Sequence, residues 1–299
     1  MLNNIGTLTF DNSKPQAQKF SKYLDIPCFI AKTRQFPDEE ILLTLPTDLP
    51  EHLVFYRSLH QPNAKIIELL LAAKTARKYG VKRISLVAPY LSYMRQDIEN
   101  NPGEAVSQTI IGELLASLFD DVITVDSHLH RIDHLNQAIP VKNAINIMAT
   151  EPMIHFLKNE LKNRFEHSII FGPDGESEQW VKDISQETGV DFAVATKVRR
   201  GDKQVDIKLP DNDFNNKNII IVDDMASTGR TIGLATELLK NAGAKTVNTL
   251  VTHALFMGDA KTYMIDKGVD HIWSTDTIID TSNKIELHEL LGDTLKTIL

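Results

Sequence analysis

The chain has 299 residues, 42% of them hydrophobic and 24% charged, more length than one average domain needs and enough apolar content for two cores. A net charge of -8 excludes a global basic field that would draw it onto nucleic acid or an anionic membrane. No window reaches the roughly 20 apolar residues that a membrane span needs.

Along the chain, the N-terminal MLNNIGTLTF has neither the positive start nor the apolar stretch of a leader, which favours the cytoplasm. Cys28, the single cysteine, excludes an intramolecular disulfide, and its apolar neighbours predict a buried, inert thiol. Amphipathic patterns near 63–79, 104–118, 150–162, 175–187 and 229–242 predict helices. Between them, Ile84–Ala88, Val122–Val125, Ile169–Phe171, Phe192–Ala195, Ile219–Val222 and Val247–Thr252 read as buried strands. Such alternation predicts mostly parallel sheets covered by helices.

Gly80 and Gly243 stand where two of these helices should stop. Gly80–Ile84 echoes Gly243–Val247, each between a helix and a strand. The echo fits a common type of junction, and it fits equally two copies of one α/β domain joined near 140–150. The segment 285–299 reads as an amphipathic helix able to pack back on the first copy.

At Ile219–Val222 an apolar strand runs straight into Asp223 and Asp224, then a turn of small hydroxylated residues, then a helix. Unpaired N–H groups and the dipole at that helix start favour a phosphate. Ser227, Thr228 and Thr231 add hydroxyl donors, and Gly229 lets the backbone approach closely. The two carboxylates suit ribose hydroxyls, or an Mg²⁺ bound to them. Helix capping alone would explain one Ser or Thr and one Asp, but not two aspartates after four aliphatics. At the comparable point the first copy has Tyr56–Pro62 with no acidic pair, so the ribose is expected on the second copy alone.

The segment VDDMASTGRT resembles the phosphoribosyl-diphosphate loop of the type I phosphoribosyltransferase fold. Five further segments, in order over nearly the whole chain, resemble ribose-phosphate diphosphokinase, also called phosphoribosyl diphosphate synthetase. They are Phe36–Glu40, Pro89–Asp97, Asp126–His128, Pro173–Asp174 and Lys197–Arg199. The resemblance implies an α/β fold of two tandem type I phosphoribosyltransferase-like domains with parallel central sheets. Their expected extents are 1–145 on the ATP side and 146–284 on the ribose 5-phosphate side, with a C-terminal helix at 285–299.

It further implies ATP contacts at Phe36, Asp38, Glu40, Arg95 and Gln96. Ribose 5-phosphate contacts are implied at Asp223, Asp224, Ser227, Thr228, Gly229 and Thr231. Lys197 and Arg199 are implied as catalytic, His128 and Asp174 as metal ligands, and Mg²⁺ as the cofactor. The implied reaction moves the diphosphate of ATP to ribose 5-phosphate, in a homo-oligomer where Phe36, Asp38 and Glu40 reach a neighbour's site.

The physical chemistry is compatible with each role. An aromatic stacks on adenine, and a guanidinium forks onto phosphate. Neither a Walker loop nor a dinucleotide-binding glycine turn is present, so ATP must be held otherwise. His128, His130 and His134 lack both nearby cysteine and zinc-protease spacing, which argues against zinc. Glu39 and Arg230 stand where the family has glycine, and Ser227 where many members have aspartate. A salvage phosphoribosyltransferase would share the ribose loop but leave the ATP-like segments unexplained. A non-catalytic regulatory relative would not need Lys197 or Arg199.

Overall fold

A computed structural model describes residues 4–129, 131–161, 167–197 and 207–299 in full, and the backbone alone at 198–200 and 204–206. The chain divides into two compact units, Met1–Met148 with Leu287–Leu299, and Ala149–Glu286. Among the described residues no helix is long and apolar enough to cross a membrane.

The first unit runs β1 (Ile5–Phe10), α1 (Lys14–Leu24), β2 (Cys28–Gln35), β3 (Ile41–Thr44), β4 (His52–Tyr56), α2 (Pro62–Lys78), β5 (Arg83–Ala88), α3 (Ser107–Ala116), β6 (Asp121–Val125) and β7 (Asn143–Ile147). The second runs α4 (Thr150–Leu161), β8 (Ser168–Gly172), α5 (Glu178–Thr188), β9 (Asp191–Val194), β10 (Thr196–Arg200), β11 (Gln204–Lys208), β12 (Asn218–Ala226), α6 (Arg230–Asn241), β13 (Thr246–Ala254), α7 (Ala260–Asp266), β14 (His271–Thr275) and β15 (Asn283–Ile285). Helix α8 (His288–Lys296) belongs to the first unit, where it packs on α1 and Tyr23 Oη donates to Asp293 Oδ1 over 2.8 Å.

The strand orders are β3-β2-β1-β4-β5-β6-β7 and β15-β14-β13-β12-β8-β9. Taking each unit's strands in turn, β2-β1-β4-β5-β6-β7 matches β9-β8-β12-β13-β14-β15, with every one of these pairs parallel. The units are thus two copies of one topology, and β4 corresponds to β12. Parallel strands covered on both faces need continuous apolar side chains. Phe55, Leu86, Val122, Ile170, Ile220 and Leu250 are accordingly fully buried. Cys28 is half-buried rather than buried, and partial burial still pushes its thiol pKa up.

Polar groups are also built into the first core. Arg57 pairs with Glu68 and lies over the Phe10 ring, while Lys65 Nζ donates to the Ser58 carbonyl over 2.9 Å. Burial first, and then the Arg57 charge, bring Lys65 down to about 7 from its usual 10.5. The unfolded chain therefore binds the extra proton between those values, so this contribution rises with pH from about 7 to about 10.5. Below about 7 the penalty for a buried ammonium is present in full. Lys65→Met is expected to stabilise the ligand-free protein at pH 6–7 by about 1–2 kcal/mol, with the advantage shrinking towards pH 10. Thermal unfolding across that pH range checks the sign.

Candidate functional site

In the second unit, β8 and β12 are adjacent parallel strands whose C-terminal ends carry Asp174 and Asp223–Asp224. Asp174 Oδ1 accepts from the Glu176 amide over 3.1 Å, which holds the turn after β8. Its Oδ2 accepts from Lys197 Nζ over 3.2 Å. Lys197 comes from β10, which pairs antiparallel with β11. The ammonium is half-buried, and Asp174 and Asp224 are buried. Asp223 Oδ1 accepts from the Asp224 amide over 3.0 Å.

Among the described residues, three carboxylates around one ammonium leave a surplus of negative charge. Burial first, then the Asp224 and Asp174 charges, push Asp223 well above the usual carboxylate range, against a smaller opposing effect of Lys197. This surplus is a place for a cation or for hydroxyl donors. Among the described residues no three His, Cys, Asp or Glu side chains converge into a ready-made metal cage. Mg²⁺ does not need one, because it commonly takes one or two carboxylates and completes its shell with water and phosphate oxygens.

The turn after β12 is fastened from one side. The Phe256 and Met257 amides donate to the carbonyls of Ala226 and Ser227 over 2.9 and 2.8 Å. Gly229 begins α6 at φ +69°, and no side chain caps that end. Simple capping by Ser or Thr is therefore not what these residues do, and the first amides of α6 have no intrahelical acceptor. Ser227 and Thr231 are half-buried, Thr228 is exposed and Gly229 is buried. A Cβ on Gly229 would lie 2.9 Å from Met264 Cγ and 3.0 Å from the Ala260 carbonyl. Gly229→Ala is expected to cost about 1–3 kcal/mol of stability and to weaken ribose 5-phosphate binding at least about tenfold. Chemical denaturation and a binding titration check the two effects separately.

The two departures from glycine have different structural accounts. Arg230 Nη2 donates to both Asp259 carboxylate oxygens over 2.8 and 3.0 Å, and its guanidinium lies 3.9 Å from the Tyr263 ring centre. This ties the start of α6 to α7, and neither Asp259 nor Tyr263 was marked by any sequence pattern. Glu39 keeps φ at +71°, the left-handed backbone that glycine adopts freely. The Phe36 amide donates to the Glu40 carbonyl and the Glu39 amide to the Phe36 carbonyl, closing the turn. Glu39→Gly is expected to be neutral or to stabilise by up to about 1 kcal/mol, measured by thermal melting.

Phe36, Asp38, Glu40, Arg95, Gln96 and His128 all lie in the first unit, whereas Asp174, Lys197, Asp223 and Asp224 lie in the second. Phe36 is half-buried beneath Arg34, and Asp38 and Glu40 are exposed on the turn between β2 and β3. Arg95 is exposed and Gln96 half-buried, on a segment whose Met94 carbonyl accepts from Gln108 Nε2 over 3.1 Å. His128 is half-buried just beyond β6, after Asp126 and Ser127, both buried. Arg199 lies on β10 with its side chain outside the described atoms, and His130 lies outside the described residues.

An acidic pair at the end of the third strand of this topology, followed by an uncapped helix start, defines a phosphoribosyltransferase-type protein. A family model for the N-terminal domain of ribose phosphate pyrophosphokinase matches residues 5–118, and one for the phosphoribosyl transferase domain matches 148–286. A ribose-phosphate pyrophosphokinase of Saccharolobus solfataricus is 30% identical, over 90% of this chain and 95% of its own. One from Thermoplasma acidophilum is 28% identical, over 94% and 95%. The crystal structure of phosphoribosylpyrophosphate synthetase from Mycobacterium smegmatis superposes with a TM-score of 0.84 at 21% identity, over 99% of both chains. The chain belongs to the ribose-phosphate pyrophosphokinase family, and it is an enzyme of that kind.

Proposed function

We propose that this chain transfers the β,γ-diphosphate of ATP to the anomeric hydroxyl of ribose 5-phosphate. The hydroxyl oxygen attacks the β-phosphorus, and the bond from that phosphorus to the α,β-bridging oxygen breaks. AMP leaves with the bridging oxygen, the hydroxyl proton is released, and 5-phosphoribosyl 1-diphosphate remains. The observation that carries this reading is the ion pair of Lys197 with Asp174, set against the acidic pair Asp223–Asp224 beside a phosphate-ready helix start.

Asp223 and Asp224 accept hydrogen bonds from the ribose hydroxyls. The amides and hydroxyls of Ser227–Thr231 take the 5-phosphate. Lys197 and Arg199 stabilise charge on the transferring group, because diphosphoryl transfer is mostly positioning and charge neutralisation. Phe36, Asp38, Glu40, Arg95 and Gln96 form the ATP set. The acidic surplus suits Mg²⁺, and we assign Asp174 as a metal ligand of the second unit and His128 as one of the first, the carboxylate suiting that ion better than the imidazole. When bound, Mg²⁺ supplies neutralisation of phosphate charge.

The exposed turn carrying Asp38 and Glu40 supports a homo-oligomer in which these residues serve a neighbouring subunit. ATP and ribose 5-phosphate as substrates fit a cytoplasmic setting. Purified protein with ATP, Mg²⁺ and ribose 5-phosphate is expected to form AMP only when the sugar phosphate is present. AMP formed at the same rate without it would refute the assignment.

A further inference from the structure

The turn that opens α6 has the wrong balance of full charges for a phosphate. Residues 223–231 contain two carboxylates, Asp223 and Asp224, and one cation, Arg230. Backbone amides, hydroxyls and the helix dipole set only partial charges against a phosphate dianion. A glycine at 230 would leave those amides in place, so the arginine side chain is an addition to the turn.

The place of that side chain gives the addition a use. Arg230 is the first residue of α6, and Cα–Cβ bonds in a helix lean towards its N-terminus, where the free amides lie. Its guanidinium donates to both Asp259 carboxylate oxygens over 2.8 and 3.0 Å and lies 3.9 Å from the Tyr263 ring centre. Asp259 precedes α7 and Tyr263 lies within it, and the same helix supplies the Ala260 carbonyl and Met264 that crowd Gly229. The guanidinium is thus stored beside the turn.

Its pairing is easily exchanged. The Arg230 and Asp259 side chains are 51% and 66% exposed, against 35% and 17% for Lys261 and Asp280, the next ion pair made by α7. So exposed a pair adds little net stability, and a phosphate offers the same fork of two oxygens with more charge. The Tyr263 ring gives the guanidinium a face to rest on while it changes partner.

We propose that Arg230 is a specificity-determining residue for the phosphorylated sugar, moving from Asp259 to the 5-phosphate, given that the turn at Ser227–Thr231 holds that phosphate. Asp259 then works against binding, as the competitor for the same guanidinium.

The test is calorimetric titration of the full chain with ribose 5-phosphate, in the presence of Mg²⁺ and an ATP analogue with a methylene between its α- and β-phosphorus atoms. Arg230→Gln is expected to weaken the sugar phosphate at least about fivefold, Arg230→Lys to weaken it less, and Asp259→Asn to tighten it about two- to threefold. Arg230→Gln and Asp259→Asn lose the same ion pair, so a tie that only braced α6 against α7 would move both affinities the same way. Their melting temperatures should fall together, which separates the opposite shifts in affinity from stability. Weakening in both variants, or unchanged affinity in Arg230→Gln, would overturn the assignment. An equal gain from Asp259→Asn on the Arg230→Gln background would overturn the exchange of partners. No uptake of ribose 5-phosphate by wild type would overturn the reading of the turn, and the role of Arg230 with it. Uptake without AMP formation from ATP itself would sink diphosphate transfer alone, and the two variants would still report on Arg230.

Discussion

Lys197→Ala is expected to lower turnover by about 100- to 1,000-fold while changing ribose 5-phosphate affinity by less than about threefold. The ammonium sits 3.2 Å from Asp174 Oδ2, on a hairpin separate from the strand and turn that carry the sugar-phosphate set. Its charge is needed most when negative charge spreads over the transferring diphosphate, so its loss falls on the transition state. The substitution also removes a cation that opposes the raised pKa of Asp223. Steady-state kinetics with both substrates checks the split. A KM for ribose 5-phosphate that rises as far as kcat falls would place Lys197 in ground-state binding instead.

Asp223→Asn is expected to raise KM for ribose 5-phosphate at least about tenfold and, at the same time, to stabilise the ligand-free protein by about 1 kcal/mol. Both effects follow from the crowding of Asp174, Asp223 and Asp224. A carboxylate held above its usual range binds protons more tightly when folded. Its contribution to stability therefore falls as pH rises from about 4 through the raised value, and the penalty persists at neutral pH. Asparagine removes that penalty, so the gain should vanish when both proteins are melted near pH 4. A loss of binding accompanied by lower stability at pH 7 would mean that Asp223 serves the fold rather than the sugar.

The sequence made some of these features visible for physical reasons. Ile219–Val222 stood out because both faces of its strand are covered, so the run is continuously apolar, and Ile84–Ala88 is apolar but for the buried Ser85. The β1 strand did not, since Gly6, Thr7 and Thr9 interrupt its apolar residues, although all six of its positions are buried. Helix α1 hides similarly, because Gln16 and Ser21 share its buried face with Phe20 and Leu24. The acidic pair was legible as two adjacent carboxylates following four aliphatics.

Contacts made at a distance along the chain were not. Lys197 and Asp174 are 23 positions apart, Arg230 and Asp259 are 29 apart, and Arg57 and Glu68 are on different elements. Nothing in local periodicity sets such pairs, which depend on which strand ends the topology places side by side. The positive φ at Glu39 was likewise invisible until the backbone was seen, and it shows that the turn survives the loss of glycine.

Diphosphate transfer is tested most directly by ³¹P spectroscopy of the products formed from ATP and ribose 5-phosphate. AMP and 5-phosphoribosyl 1-diphosphate are expected in equal amounts, with the diphosphate intact on the anomeric oxygen. ADP with a singly phosphorylated anomeric position would contradict it, because the transferred group would then be one phosphoryl unit rather than two.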